Sequence, residues 1–382
     1  MTILDNFKRR KFKESISGYD RWLNISVGLM LLIGTLLVYA ATKQWFASQG
    51  LDPQYYLKRH ILNMIIGGLL AYGTTLIDYR LIRAYTPFVY IAGLVGLLAV
   101  LITPFGSEVN GARSWISFPG GFQLQPAELA KISVIIGMAM ILSEGRDRDE
   151  NPGHSDVLKA LLVAAVPLLL IIIQPDLGET LIIAAAVIAI IAVSGAPTRW
   201  VVVLLILGIL GAFVAVKVGA VQEYQVKRLQ SFIDPSADPQ ETGYQLRQAR
   251  ITIGSGGLFG KGLFNGPQTN GRFVPEQQTD FIFTVAGEEL GFLGSSFILM
   301  LFTIFFFRSF LIAKRTEDLF GKLVVVGVIA WFAFQMYENI GMAMGMMPMT
   351  GVPLPFMSYG GSSMFANLIG LGLLQNVHLR SR

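Results

Sequence analysis

The chain has 382 residues, 53% of them hydrophobic and only 14% charged, with a mean hydropathy of +0.56, which excludes a protein whose main solvent is water. A net charge of +5 would suit nucleic acid, but the basic residues stand beside the ends of apolar runs, as in Lys8, Arg9, Arg10, Lys11 and Lys13, so no nucleic-acid partner is expected. There is no cysteine, and His60, His154 and His378 are scattered, which leaves no disulfide, no thiolate site and no local metal motif.

Crossing a hydrocarbon layer of about 30 Å takes roughly 20 helical residues. Solidly apolar runs such as 161–173 and 181–193 read as helices and lack the alternation of barrel strands. In chain order the spans fall near 22–41, 59–76, 88–102, 128–142, 157–173, 177–193 and 200–218. The first has no small-residue cleavage site after a short apolar core and reads as retained. After the polar stretch 219–279 the pattern resumes at 281–310, long enough to include an interfacial half, then at 319–342 and 364–377. The expected fold is an all-α polytopic membrane protein of about ten transmembrane helices, with a large extracytoplasmic loop between the seventh and eighth.

Lys and Arg in the amino terminus, in 79–83, in 146–159, at Arg199 and at Lys314 and Arg315 fall on one side, which should be cytoplasmic, with the Arg380 and Arg382 tail. The segments 108–125 and 346–361 then lie outside, and their Gly, Pro and Ser content predicts irregular backbone there.

Several polar groups sit where a membrane makes them costly. Arg59 in LKRHI and Arg113 in NGARSWI stand at outer span ends, where snorkelling accounts for most arginines, although both could meet a phosphate. QLQPAELAKIS sets Gln125, Glu128 and Lys131 on one helical stripe, either as an internal ion pair or as the wall of a polar cavity. In QPDLGE, capping by Asp176 is a sufficient account of the turn. GSGGLFGKG fails as a phosphate loop because Lys261 is followed by Gly262. In VPEQQTDFIFTVAGEELG, Thr279 or Asp280 could cap the helix that follows, or Asp280 could act as a general base, held ionised if the helix dipole lowers its pKa. Glu288 and Glu289 lie about 12 Å further on, too far to pair with it, and suit either a salt bridge or a cavity wall. The pair Gly341 and Gly345 predicts helix packing, and MTGVPLPFMSYGGSS an irregular hairpin enclosed by protein or water.

NGARSWI, QPAELAK, QPDLGE, IGSGGLFGKG, VPEQQTDFIF with EELG, and NIGM before PMTGVPLPFMSYGGSS, in this order, resemble the SEDS family of shape, elongation and division proteins. The likeness spans nearly the whole chain, and GPQ and NIGM are nearer the family's elongation members than its division members. Ala127 and Glu179 depart from the family pattern.

The resemblance implies one transmembrane domain over 1–382, with the loop 219–279 inside it, in the bacterial cytoplasmic (inner) membrane, both termini inside and the active site outside. It implies a peptidoglycan glycosyltransferase that polymerises lipid II by inverting transfer, with Asp280 as the essential acid. Glu128 and Lys131 become cavity residues required for activity, and Arg59, Arg113 and Asp176 substrate-site residues, with Lys131 or the arginines meeting the pyrophosphate. A divalent cation such as Mg or Mn could help, although no ligand motif identifies one. The implied partners are lipid II, the nascent glycan strand, a class B penicillin-binding protein transpeptidase and other elongation-complex membrane proteins. Two rival readings remain: a flippase for the lipid-linked precursor, and a noncatalytic cell-wall scaffold.

Overall fold

A computed structural model describes residues 18–103, 106–109, 112–118, 122–144, 151–218, 222–234, 238 and 241–380. The basic residues Lys8, Arg9, Arg10, Lys11 and Lys13, with Arg146 and Arg382, lie outside the described residues. In chain order the elements are α1 (Arg21–Ser48), α2 (Tyr55–Leu76), α3 (Tyr79–Ile102), β1 (Gly106–Val109), β2 (Ala112–Phe118), β3 (Phe122–Leu124), α4 (Pro126–Ser143), α5 (His154–Ile173), α6 (Leu177–Val193) and α7 (Arg199–Lys217). They continue with α8 (Glu223–Ile233), α9 (Thr242–Ser255), α10 (Pro267–Asn270), α11 (Ile282–Arg315), α12 (Leu319–Met344) and α13 (Gly361–Arg380).

Among the described residues ten helices have 17 residues or more, one for each expected span. Seven are both long and apolar enough to cross a membrane, and α6 is apolar but shorter. The other two, α2 and α13, pack on one another. A Cβ on Gly67 would come within 2.5 Å of the Leu368 side chain, and one on Gly372 within 2.7 Å of the Ala71 carbonyl. Lipid gives helices no hydrophobic reason to associate, so close approach of this kind supplies the contact energy. Helix α4 sits at the centre, touching α3, α5, α6, α12 and α13. Helix α7 touches α6 and has no buried residue.

Two boundaries differ from expectation. Residues 79–83 are the first turn of α3 and not a loop, because Asp78 caps it by accepting from the Arg80 N–H at 2.9 Å. The outer segment before α4 is a three-stranded antiparallel sheet, β1–β2–β3, where irregular backbone was expected. ARSWISF carries the β-favouring residues Trp115, Ile116 and Phe118, which suit a strand.

At the end of the bundle away from the sheet, side chains close the circle of helices. Asp20 caps α1 through the Leu23 N–H and also accepts from the Arg308 Nε at 3.0 and 3.1 Å. Gln375 of α13 accepts from the Asp20 N–H at 3.0 Å, while Asn376 donates to the carbonyls of Thr74 and Ile77 at the end of α2.

At the opposite end, α11 is two helices joined at Gly291, whose φ of 68° and ψ of −165° are not helical. The Gly-rich segment after α9 repairs the break. Phe292 and Leu293 N–H donate to the carbonyls of Gly257 and Leu258, and Lys261 and Gly262 N–H donate to those of Glu288 and Glu289. Backbone freed inside a membrane protein must find such partners. Glu288 and Glu289 form neither of the expected arrangements. Glu288 accepts from Gln268 N–H at 2.8 Å and from Thr269 N–H and hydroxyl at 2.7 Å each, and Glu289 from Phe264 N–H at 2.9 Å, so the pair anchors the loop.

Gly341 and Gly345 are not a packing seam either. Gly345 ends α12 in the left-handed region at φ 72°, with Arg250 donating to its carbonyl at 3.2 Å.

A methyl group at Gly291 would lie 2.2 Å from the Gly260 nitrogen, on a backbone conformation open essentially to glycine alone. Gly291→Ala is therefore expected to cost roughly 2–4 kcal/mol. Thermal unfolding in detergent checks it against Gly254→Ala, whose Cβ meets nothing within 4 Å. Equal melting temperatures would refute the kink's role.

Candidate active site

The site is built at the sheet end, where α4, α6, α12 and the 346–360 hairpin converge. Helix α4 opens on Pro126, and its cap residue Gln125 receives the Ser362 hydroxyl region of α13, its N–H donating to Ser362 Oγ at 2.8 Å. The Gln125 amide donates to Asp176 Oδ2 at 2.8 Å, and Asp176 Oδ1 caps α6 by accepting from the Glu179 N–H at 3.1 Å. Capping by Asp176, expected from QPDLGE, is thus present and is joined to α4.

One turn further in, the Lys131 Nζ lies 2.7 Å from Glu128 Oε2 and 3.0 Å from Glu179 Oε2. It also sits over the Trp331 ring, 5.0 Å from its centroid. The ion pair expected within α4 is therefore a triad, and its third member crosses from α6. All three side chains are at most 3% exposed. Burying ions in this way is tolerated only with partners, and losing one partner leaves an uncompensated charge. The enclosure has a chemical consequence: the Lys131 ammonium already holds two carboxylates, so the expected contact between Lys131 and a pyrophosphate has no open approach.

Helix α12 faces the same region with Trp331, Gln335, Glu338 and Asn339. Trp331 donates to Gln335 Oε1 at 2.6 Å, and Gln335 donates to the Pro353 carbonyl at 2.8 Å. Asn339 donates at 2.7 Å to the carbonyls of both Asp280 and Val352. One amide thereby ties the base candidate to the hairpin. Glu338 is fully buried and faces Thr350 of the hairpin.

Asp280 precedes α11, whose cap position is Phe281 without a side-chain bond, so Asp280 does not cap the helix. It is half-buried, and a Cβ on Gly351 would stand 3.2 Å from its Oδ2. Burial pushes its pKa up to about 6, with a further rise from Glu276, against the Thr279 hydroxyl and the Arg228 guanidinium, which lower it. The dipole-lowered carboxylate expected from the sequence is thus reversed: removal from water outweighs the helix terminus, and the group becomes a better base near neutrality.

Arg228 is a site residue that sequence reasoning missed. It rides on α8, which docks through Tyr224 Oη and Gln225 Nε2, both donating to the Pro175 carbonyl at 2.9 Å. Its guanidinium lies over the Tyr224 ring, 5.2 Å from the centroid, within electrostatic reach of Asp280. The one available signal was a basic residue in a short amphipathic stretch of the outer loop.

Arg59 stands to the side, over the Tyr55 ring at 4.4 Å and beside the Tyr359 hydroxyl. Tyr359 N–H donates to the Gln278 carbonyl at 2.8 Å, two residues before Asp280. Arg113 is not brought to the site: it is exposed on β2 and donates to the Thr103 carbonyl at 2.9 Å, which corrects its expected place near the pyrophosphate. Among the described residues no three Asp, Glu or His side chains converge to hold a metal ion, so Mg or Mn finds no preformed ligand set there.

The sequence matches the FtsW/RodA/SpoVE cell cycle protein family over residues 21–382. The chain belongs to this family. Among its relatives, stage V sporulation protein E of Bacillus subtilis is 37% identical, covering 95% of this chain and 98% of the relative. Peptidoglycan glycosyltransferase MrdB of Escherichia coli is 34% identical, covering 98% and 97%. A solved peptidoglycan synthase complex that coordinates polymerization and crosslinking contains a chain 31% identical at a TM-score of 0.76, covering 94% and 97%. The rod shape determining protein RodA of Thermus thermophilus is 29% identical at a TM-score of 0.69, covering 95% and 97%. The SEDS-like expectation is therefore met, and the fold is that of a multi-pass, predominantly helical membrane protein of RodA-like form.

Removing the shared cation should expose the energetics of the triad. Lys131→Met is expected to destabilise the bundle by about 3–5 kcal/mol. Adding Glu179→Gln should recover part of that loss, since one stranded charge is gone. A double-mutant cycle on thermal stability reads this, and strict additivity would count against the triad.

Proposed function

We propose that the chain is a peptidoglycan glycosyltransferase of cell-wall synthesis, polymerising lipid II into glycan strands during elongation, with Asp280 as general base. The observation that carries the reading is a half-buried carboxylate with its pKa pushed up to about 6, in electrostatic reach of one cation. The family, and relatives named peptidoglycan glycosyltransferases, support the same chemistry.

In the proposed step Asp280 takes the proton of the acceptor GlcNAc 4-hydroxyl as its oxygen bonds to the anomeric carbon of the growing strand. The bond from that carbon to the diphosphate oxygen breaks, and its electron pair leaves with the lipid diphosphate, inverting the configuration. Arg228 is the cation we assign to the departing charge, since its guanidinium acts electrostatically on Asp280 from α8. Arg59 is positioned to meet the sugar-phosphate portion beyond Tyr359. The Glu128–Lys131–Glu179 triad acts from below by fixing α4 against α6.

Basic loops set the orientation, with both termini in the cytoplasm and the site outside the inner membrane. A class B penicillin-binding protein transpeptidase is the proposed partner, in line with the similar chain in a polymerizing and crosslinking complex. A flippase would place its charges near midplane. Here Lys131 is the sixth residue of α4, close to the loop end. A scaffold would tolerate loss of Asp280.

Lipid II polymerisation by purified chain, with its partner matched between samples, tests the reading. Asp280→Asn is expected to lower the rate roughly 10²–10⁴-fold. Full activity in that variant would remove the base, and precursor transport without polymer would favour the flippase. Because the base works deprotonated, wild-type kcat/KM should fall as pH drops through about 6 and level off above it; a flat profile from pH 5 to 8 would contradict the assignment.

A further inference from the structure

Four residues before the base, Glu276 has a φ of 51°, in the left-handed region that non-glycine residues seldom occupy. This conformation turns its carbonyl toward the chain that follows. The carbonyl accepts from the N–H groups of Thr279, Asp280 and Phe281 at 3.2, 3.0 and 3.3 Å, and from the Thr279 hydroxyl at 3.2 Å. The turn that carries Asp280 hangs from this one oxygen.

The Glu276 side chain is exposed but held, since Gln278 Nε2 donates to its Oε2 at 3.0 Å. A turn of this shape is served at lower cost by glycine or asparagine. A carboxylate here adds strain and sets a second negative charge beside a half-buried one, and both effects oppose stability. Strain that persists against stability tends to mark function.

We infer that Glu276 is a positioning residue for the base: its carbonyl fixes where the Asp280 carboxylate stands, and its own charge sets the field in which Asp280 takes up a proton. The inference rests on Asp280 acting as the base. The charged groups facing Asp280 are Glu276 on its own turn, Asp176 from the start of α6 and Arg228 from α8. The two carboxylates favour the protonated form and the guanidinium opposes it. Glu276 is the most exposed of the three, so a conservative change can neutralise it without disturbing the buried packing.

Infrared difference titration of the full chain in lipid nanodiscs, with Asp280→Asn subtracted in each background, isolates the Asp280 carboxyl band. In Glu276→Gln the midpoint is expected to fall by about 0.5 pH unit. Glu276→Gly removes the same charge and relieves the left-handed backbone, so it should give the same fall even if the Gln variant folds poorly. Glu276→Asp keeps the charge and should keep the wild-type midpoint, while Arg228→Gln should raise it. An unmoved midpoint in both Gln and Gly variants overturns the inference, as does an equal fall in Glu276→Asp. The acid limb of kcat/KM for lipid II polymerisation should move in parallel. Absence of polymer from wild type at every pH would sink the polymerase reading, and the infrared titration would still decide the role of Glu276.

Discussion

An ammonium group cannot sit inside a membrane protein alone, and the compensation of Lys131 organises the working end of this bundle. Its two carboxylates come from different helices, so α4 and α6 must be held in one register for the charge to be tolerated. That register brings Gln125 to Asp176 above the triad and Trp331 of α12 beneath the ammonium. From Trp331 the contacts run through Gln335 to the hairpin, and from Asn339 to Asp280. A buried ion triad contributes little net stability against a well-packed apolar substitute. Its value here lies in geometry, because few other arrangements of three helices satisfy it.

Around this fixed floor the upper part of the site is made of irregular backbone. The hairpin buries Val352, Leu354, Phe356 and Met357, and the break at Gly291 lets the Gly-rich segment run against α11 backbone to backbone. Glu288 and Glu289, which could be mistaken for catalytic acids, are consumed in holding that segment. Among the described residues, four of the five non-glycine positions with positive φ, Phe264, Arg272, Glu276 and Phe356, fall in the same loop and hairpin, and the fifth, Pro175, stands just before α6. Charge burial below and backbone strain above together leave Asp280 half-buried yet basic.

Much of this was legible in the chain itself. Solid apolar runs gave all ten long helices, because hydrocarbon thickness fixes their length. The pairing of Glu128 with Lys131 follows from their spacing, and the importance of Asp280 from the family resemblance. Glu179 was visible only as a departure from the family pattern, since its partner lies 48 residues away and becomes a neighbour only when α6 docks. The pKa of Asp280 was misjudged for a related reason: a helix dipole is local and can be read from sequence, whereas desolvation depends on what the hairpin covers. Arg113 was drawn into the site by its motif, but the strand pairing of β1 with β2 carries it away. Such long-range docking has no periodicity to betray it.

The closure of the bundle at its other end bears on how the protein is made. Asp20 stands at the start of the first long helix, and its partners Arg308 and Gln375 belong to the eighth and the last. Synthesis runs from one end, so the first helix enters the membrane with an acidic terminus that must wait for nearly the whole chain to be translated. Until then the water and headgroups of the interface serve as its provisional partners. A ribosome that stops short leaves this lock open, and an incomplete chain is thereby distinguishable from a finished one.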